Sequence, residues 1–156
     1  MMRLCCFLVA ATGVFAQQNP AAKLDPILGA MQDAKASRVA ISQQLTDAIL
    51  SLAPRDRLPS RPTVAAFADE MAGSLIGKNL GDGGVLVLRR AITDVLNPAG
   101  ATIAKASSLR KELGSLGIDA EKAHAISSRY VKIGEEVRGP DDIPVQPQPR
   151  QAVPQK

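Results

Sequence analysis

The chain has 156 residues, of which 46% are hydrophobic and 3% aromatic, and it carries a formal net charge of +4. That length is enough for one domain with a buried core. The charge is mild and well mixed along the chain, and few aromatics are present, so neither the concentrated basic face nor the stacking platform of a nucleic-acid binder is available and that class is excluded.

Residues 1–16 read as a cleavable secretory signal peptide. Arg3 and the terminal amine supply a positive start, and Leu4 to Phe15 run without a charge. The run is shorter than the roughly 20 apolar residues that cross a bilayer, so no transmembrane anchor is expected after cleavage. Val14-Phe15-Ala16 places small residues where signal peptidase reads them, and cleavage is expected after Ala16. Cys5 and Cys6, the only cysteines, stand early in this segment and leave with it. The processed chain then has no disulfide and depends on core burial alone.

A polar lead-in is expected over 17–24 and a helical domain over 25–139. Asp25-Pro26 has the form of a helix start, and Ile27, Met31, Ala34, Ile41, Leu45, Ala48 and Leu52 follow helical steps that Arg38 interrupts. These predict one long helix ending near Pro54. Prolines 54, 59 and 62 then exclude regular structure. Ser60 or Thr63 caps a second helix with Val64, Phe67, Met71 and Leu75 on one face, and Gly81-Asp82-Gly83-Gly84 is expected to break it. A third helix turns Val85, Leu88, Ile92 and Val95 inward and stops at Asn97-Pro98. A fourth uses Ile103, Ala106, Leu109, Leu113 and Leu116 and closes at Gly117. The fifth is capped by Asp119, carries Ala123, Ile126, Tyr130, Ile133 and Val137 in register, and ends at Gly139-Pro140.

The fold class is therefore all-α, about five helices in a single bundle or helical-hairpin array. Helices two-three and four-five look like successive hairpins, since Leu75, Val85, Ile92 and Leu96 recur 41 positions on as Leu116, Ile126, Ile133 and Val137. Five of the 11 prolines lie between Pro140 and Pro154, so 140–156 reads as a disordered proline- and glutamine-rich tail.

Catalytic, cofactor-binding and metal-binding constellations are absent from this pattern. His124, the single histidine, falls off the apolar stripe of its helix and should face solvent. Carboxylates come mostly in adjacent pairs such as Glu135-Glu136, which point about 100° apart on a helix and do not converge on one ion. Lys78 precedes the glycines of Gly81 to Gly84, whereas a phosphate-binding loop needs its lysine after them.

Two surfaces are candidates for partners. Arg55, Arg57 and Arg61 form the densest basic cluster, on a proline-stiffened loop suited to an acidic partner. Gly73 and Gly77 cost their helix about 2 kcal/mol relative to alanine, and close approach of another helix would offset it. The expected function is a non-enzymatic interaction or scaffold module of the bacterial cell envelope, secreted or periplasmic. The alternative is a periplasmic binder of an apolar small molecule or lipid in a pocket between helices.

Overall fold

The computed structural model describes residues 19–100 and 102–139. The expected signal segment and proline-rich tail lie outside these residues. The described residues form six α-helices and no strand: α1 (Pro20–Ala30), α2 (Arg38–Leu52), α3 (Arg61–Leu75), α4 (Gly81–Val95), α5 (Thr102–Ser115) and α6 (Ala120–Arg138). The all-α class stands, with six helices where about five were expected.

The additional helix comes from the first segment. The long helix expected between Asp25 and Ala53 is two helices, because the chain turns at Gln32 to Ser37. Met31 closes α1, Lys35 N donates to Asp33 Oδ1 in the turn, and Ser37 accepts from Ala40 N as the cap of α2. Arg38 breaks the apolar period because it opens a new helix. The start is also earlier than expected. Asn19 caps α1, so Pro20 to Leu24 belong to a helix and not to a polar lead-in, and Pro26 sits inside it. An interior proline costs about 3 kcal/mol. Leu24 and Leu28 on either side of it are fully buried, which contributes roughly 3–6 kcal/mol. Burial wins.

The break after α3 also lies elsewhere than expected. The helix ends at Leu75, and Gly77 takes a φ of +77°, where a side chain would be strained. Its N–H donates to Met31 O at 2.8 Å, joining the α3–α4 turn to the α1–α2 turn. Gly81 to Gly84 are the first turn of α4 and do not form a loop. Gly84 has a packing reason: a Cβ there would lie 3.1 Å from Leu116 Cδ2.

Helix α6 follows its sequence closely. Asp119 accepts from Lys122 N, all five residues of the expected stripe are buried, and Gly139 ends the helix at φ +73°. His124 and Lys132 are exposed, as their positions on the wheel require. In α4 and α5 the expected inward sets need adjusting. Val85 is only half-buried, and Ile103 is 76% exposed, its place at the interface being taken by Thr102.

Of the two hairpins expected, α3–α4 and α5–α6, only the second forms. α2 packs on α3 and α5 on α6, while α3 and α4, adjacent in sequence, barely touch. α3 lies against α6, and α1 packs on α2 and α4. The 41-residue offset carries α3 onto α5 and α4 onto α6 in length, yet α5 and α6 close on each other while α3 and α4 do not. The two halves share periodicity without sharing packing. At the α3–α6 contact the rings of Phe67 and Tyr130 sit 6.4 Å apart at 54°, a tilted arrangement that aromatic pairs favour.

Candidate functional site

The basic loop joins α2 to α3, and the fold divides its arginines. Arg61 turns back to Asp47 on α2. Arg57 donates to Arg138 O at 2.7 Å and so fastens the loop to the end of α6. Arg55 alone of the three is exposed with no ion-pair partner among the described residues. It stands at the edge of a groove of about 430 Å³ between the start of α1, the end of α2 and the end of α4. Leu52, Ala53, Pro54, Pro20 and Leu96 give the groove apolar walls, and Thr93, Asn97 and Ser51 supply polar groups. Leu58, on the same loop, is 53% exposed.

The loop's end is held by an acid from another helix. Glu136 of α6 accepts from Ser60 N and from the hydroxyls of Ser60 and Thr63, covering the N-terminus of α3. Partial burial works to raise its pKa. The hydrogen bonds from Thr63 and Ser60 outweigh that and hold it below the usual glutamate range.

Gly73 and Gly77 do not form a docking face for a helix. Gly77 lies beyond the end of α3, with Ala34 against it. Over Gly73 lies the Arg38 guanidinium, where a Cβ would meet Cζ at 2.7 Å, and that guanidinium makes a two-pronged contact with Asp69. The glycine leaves room for an ion pair between α2 and α3. The glycine that lets two helix backbones approach is Gly134, which periodicity did not single out. A Cβ at Gly134 would fall 2.4 Å from Thr102 Cγ2.

A second concavity opens between α4, α5 and α6. It has a volume of about 220 Å³ and opens to solvent, and Tyr130 is among the residues that line it. The residues that line it alternate along both walls: Val87, Arg90, Ala91 and Asp94 on α4, and Lys105, Ser108, Leu109 and Glu112 on α5. These are the three- and four-residue steps that put side chains on one helical face. Small residues, Ala91, Ala104 and Ser108, leave the space between the walls unfilled. Lys105 Nζ sits 3.7 Å from Asp94 Oδ1 and 3.5 Å from Asp94 O. Arg90 and Glu112 have no ion-pair partner among the described residues, not even each other.

Tyr130 is 1% exposed, yet its hydroxyl has no hydrogen-bond partner among the described residues. Asp25 Oδ1 is the one fully buried side-chain atom without a partner among the described residues, so the little exposure Tyr130 keeps is at the hydroxyl, toward the cleft. Burial, reinforced by the negative charges of Asp94 and Glu112, pushes the phenol's pKa well above the ordinary tyrosine value. The group stays protonated and presents an O–H donor.

His124 is remote from any acid–base pairing. Its carbonyl accepts from Ser128 Oγ, and its ring faces solvent. No three His, Cys, Asp or Glu residues among those described are grouped to hold a metal ion. No helix among them is long and apolar enough to cross a membrane. With this geometry in hand, comparison with protein families, with curated proteins and with solved structures yields no match.

Proposed function

We propose that this protein is a non-enzymatic interaction module, exported to the bacterial cell envelope, that meets an acidic polypeptide at the bundle end carrying Arg55. The observation that supports this reading is the division of the basic loop. Arg57 and Arg61 are spent on the protein's own carbonyl and carboxylate, while Arg55 lines the groove, exposed and with no ion-pair partner among the described residues. An exposed cation next to apolar surface favours a partner with an acidic residue followed by small apolar side chains. A photo-crosslinker at Leu58 in the full chain tests it, with the same crosslinker at His124 as control. Adducts with acidic envelope proteins at position 58, absent at 124 and lost in Arg55→Glu, are expected. Equal labelling at both positions would discard the reading.

A second reading has its own observation. The groove's volume of about 430 Å³ lies within the range of small-ligand sites, and its walls are apolar. An apolar small molecule or lipid with an anionic end would place that end on Arg55. Co-purified lipid found by mass spectrometry, and depleted in Arg55→Glu, would favour this reading over the polypeptide.

A further inference from the structure

The cleft between α4, α5 and α6 is separate from the Arg55 groove and shares no lining residue with it. We propose that it binds a small zwitterion of the free amino-acid type, with the Tyr130 hydroxyl and Arg90 receiving its carboxylate and Glu112 its ammonium group.

Three features of the cleft lead there. The first is the unpartnered hydroxyl. Tyr130 is almost wholly buried and lines the cleft, and its hydroxyl, the part open to the cleft, makes no hydrogen bond to another described residue. Its donor is therefore available to an occupant of the cleft. Because the phenol stays protonated, an occupant that offers an acceptor there is favoured.

The second is the arrangement of charge. Lys105 and Asp94 neutralise each other on one side. Arg90 and Glu112 stand on opposite walls, carry opposite charges and do not bridge. A simple anion would be drawn to Arg90 and repelled by Glu112, and a simple cation the reverse. A molecule with both charges satisfies both walls, and charge-assisted hydrogen bonds are the stronger kind.

The third is size. About 220 Å³ corresponds to roughly seven water molecules at ~30 Å³ each, which matches a compact amino acid and is too small to surround a nucleotide or a lipid. The aliphatic parts of Val87, Ala91 and Leu109 leave an apolar strip for a small side chain.

The sequence supplies its own probe. Tyr130 is the only tyrosine and no tryptophan is present, so tyrosine fluorescence of the full chain reports this one group. Glycine, L-alanine and L-serine are titrated, with acetate and methylamine as single-charge controls. A saturable change with at least one amino acid, about tenfold tighter than with either control, is expected. Arg90→Gln and Glu112→Gln should each weaken it about tenfold, while Arg55→Glu leaves it unchanged, which separates this site from the groove. By calorimetry Tyr130→Phe should bind more weakly yet melt like the parent, since no intramolecular hydrogen bond is lost. No saturation below about 10 mM, acetate or methylamine binding as tightly as the amino acids, unaltered affinity in Arg90→Gln and Glu112→Gln, or a lowered melting temperature in Tyr130→Phe would each overturn the proposal.

Discussion

Where α2 meets α3, arginine–aspartate pairs reach across the outside of the seam; where α5 meets α6, a glycine lets one helix sink against the other. At the first seam Arg38 clasps Asp69 and Arg61 clasps Asp47, with all four side chains more than half exposed. Such pairs contribute about 0–1 kcal/mol each, and salt screens them. At the second, Gly134 faces the buried Thr102, whose hydroxyl accepts from Arg138. There the constraint is shape, and close-packed interiors transmit it without relief. Both seams contain a helical glycine, but only one of them is irreplaceable.

The strongest way to sharpen this contrast is inside α6 itself. Ile133→Ala should cost roughly 2–5 kcal/mol in denaturant unfolding, from lost burial and the cavity left behind. Lys132→Ala, next to it but exposed, should stay within about 0.5 kcal/mol. Equal losses would mean the α6 core does not carry the fold.

The same substitution at the two glycines should have opposite signs. Gly134→Ala must displace the buried Thr102, its Cβ included, and with it the hydrogen bond that Arg138 donates there. A penalty toward the upper end of about 1–3 kcal/mol for overpacking outweighs the gain of about 1 kcal/mol in helix propensity. Gly73→Ala meets only the tip of Arg38, a flexible side chain that can swing into solvent. It should be neutral or stabilising by up to about 1 kcal/mol. Thermal melts of the two variants side by side check this, and a shift of the same sign in both would break the comparison.

A third, smaller effect concerns the contact between the two hairpins. Glu136 of α6 covers the start of α3, and Glu136→Gln should cost about 1 kcal/mol at neutral pH, in the manner of a lost cap. Its folded pKa is lowered, so its contribution is fully present above the ordinary value of 4.5 and is lost as pH falls through the folded value. The difference in melting temperature between parent and variant should therefore shrink below that pH. A difference that widens on acidification would reverse the assignment.

The smallest effect is at the surface seam. Arg38→Gln should lower stability by roughly 0.2–1 kcal/mol at low salt and by less at high salt. A salt-independent loss would show that Arg38 acts through packing over Gly73 and not through Asp69.

Much of the helical content was legible in the sequence. Asp119, the stripe from Ala123 to Val137 and Gly139 describe α6 from cap to end, because each signal is local to that helix. The missed boundary at Ser37 was also written locally, as a cap followed by a fresh apolar period, but periodicity alone ran across the turn. The candidate sites were less legible. The arginine cluster was visible as composition, yet which arginine stays free depended on Asp47 and on the carbonyl of Arg138, one of them eighty-one positions from its donor. Tyr130 was expected in the core, and it is there; that its hydroxyl opens on a cleft follows from α4 and α5, which its own helix does not encode.

What the sequence determined by itself is which segments coil and which face of each turns inward, because caps, breakers and apolar spacing act within a turn or two of the chain. Only the tertiary structure decided that α3 pairs with α2 and not α4, that Gly134 and not Gly73 permits a close crossing, and that Arg90 and Glu112 line one cleft unbridged. Those outcomes depend on the shapes of surfaces far apart in sequence. Several amphipathic helices of similar length offer nearly equivalent apolar faces, and the detailed fit of volumes selects among them.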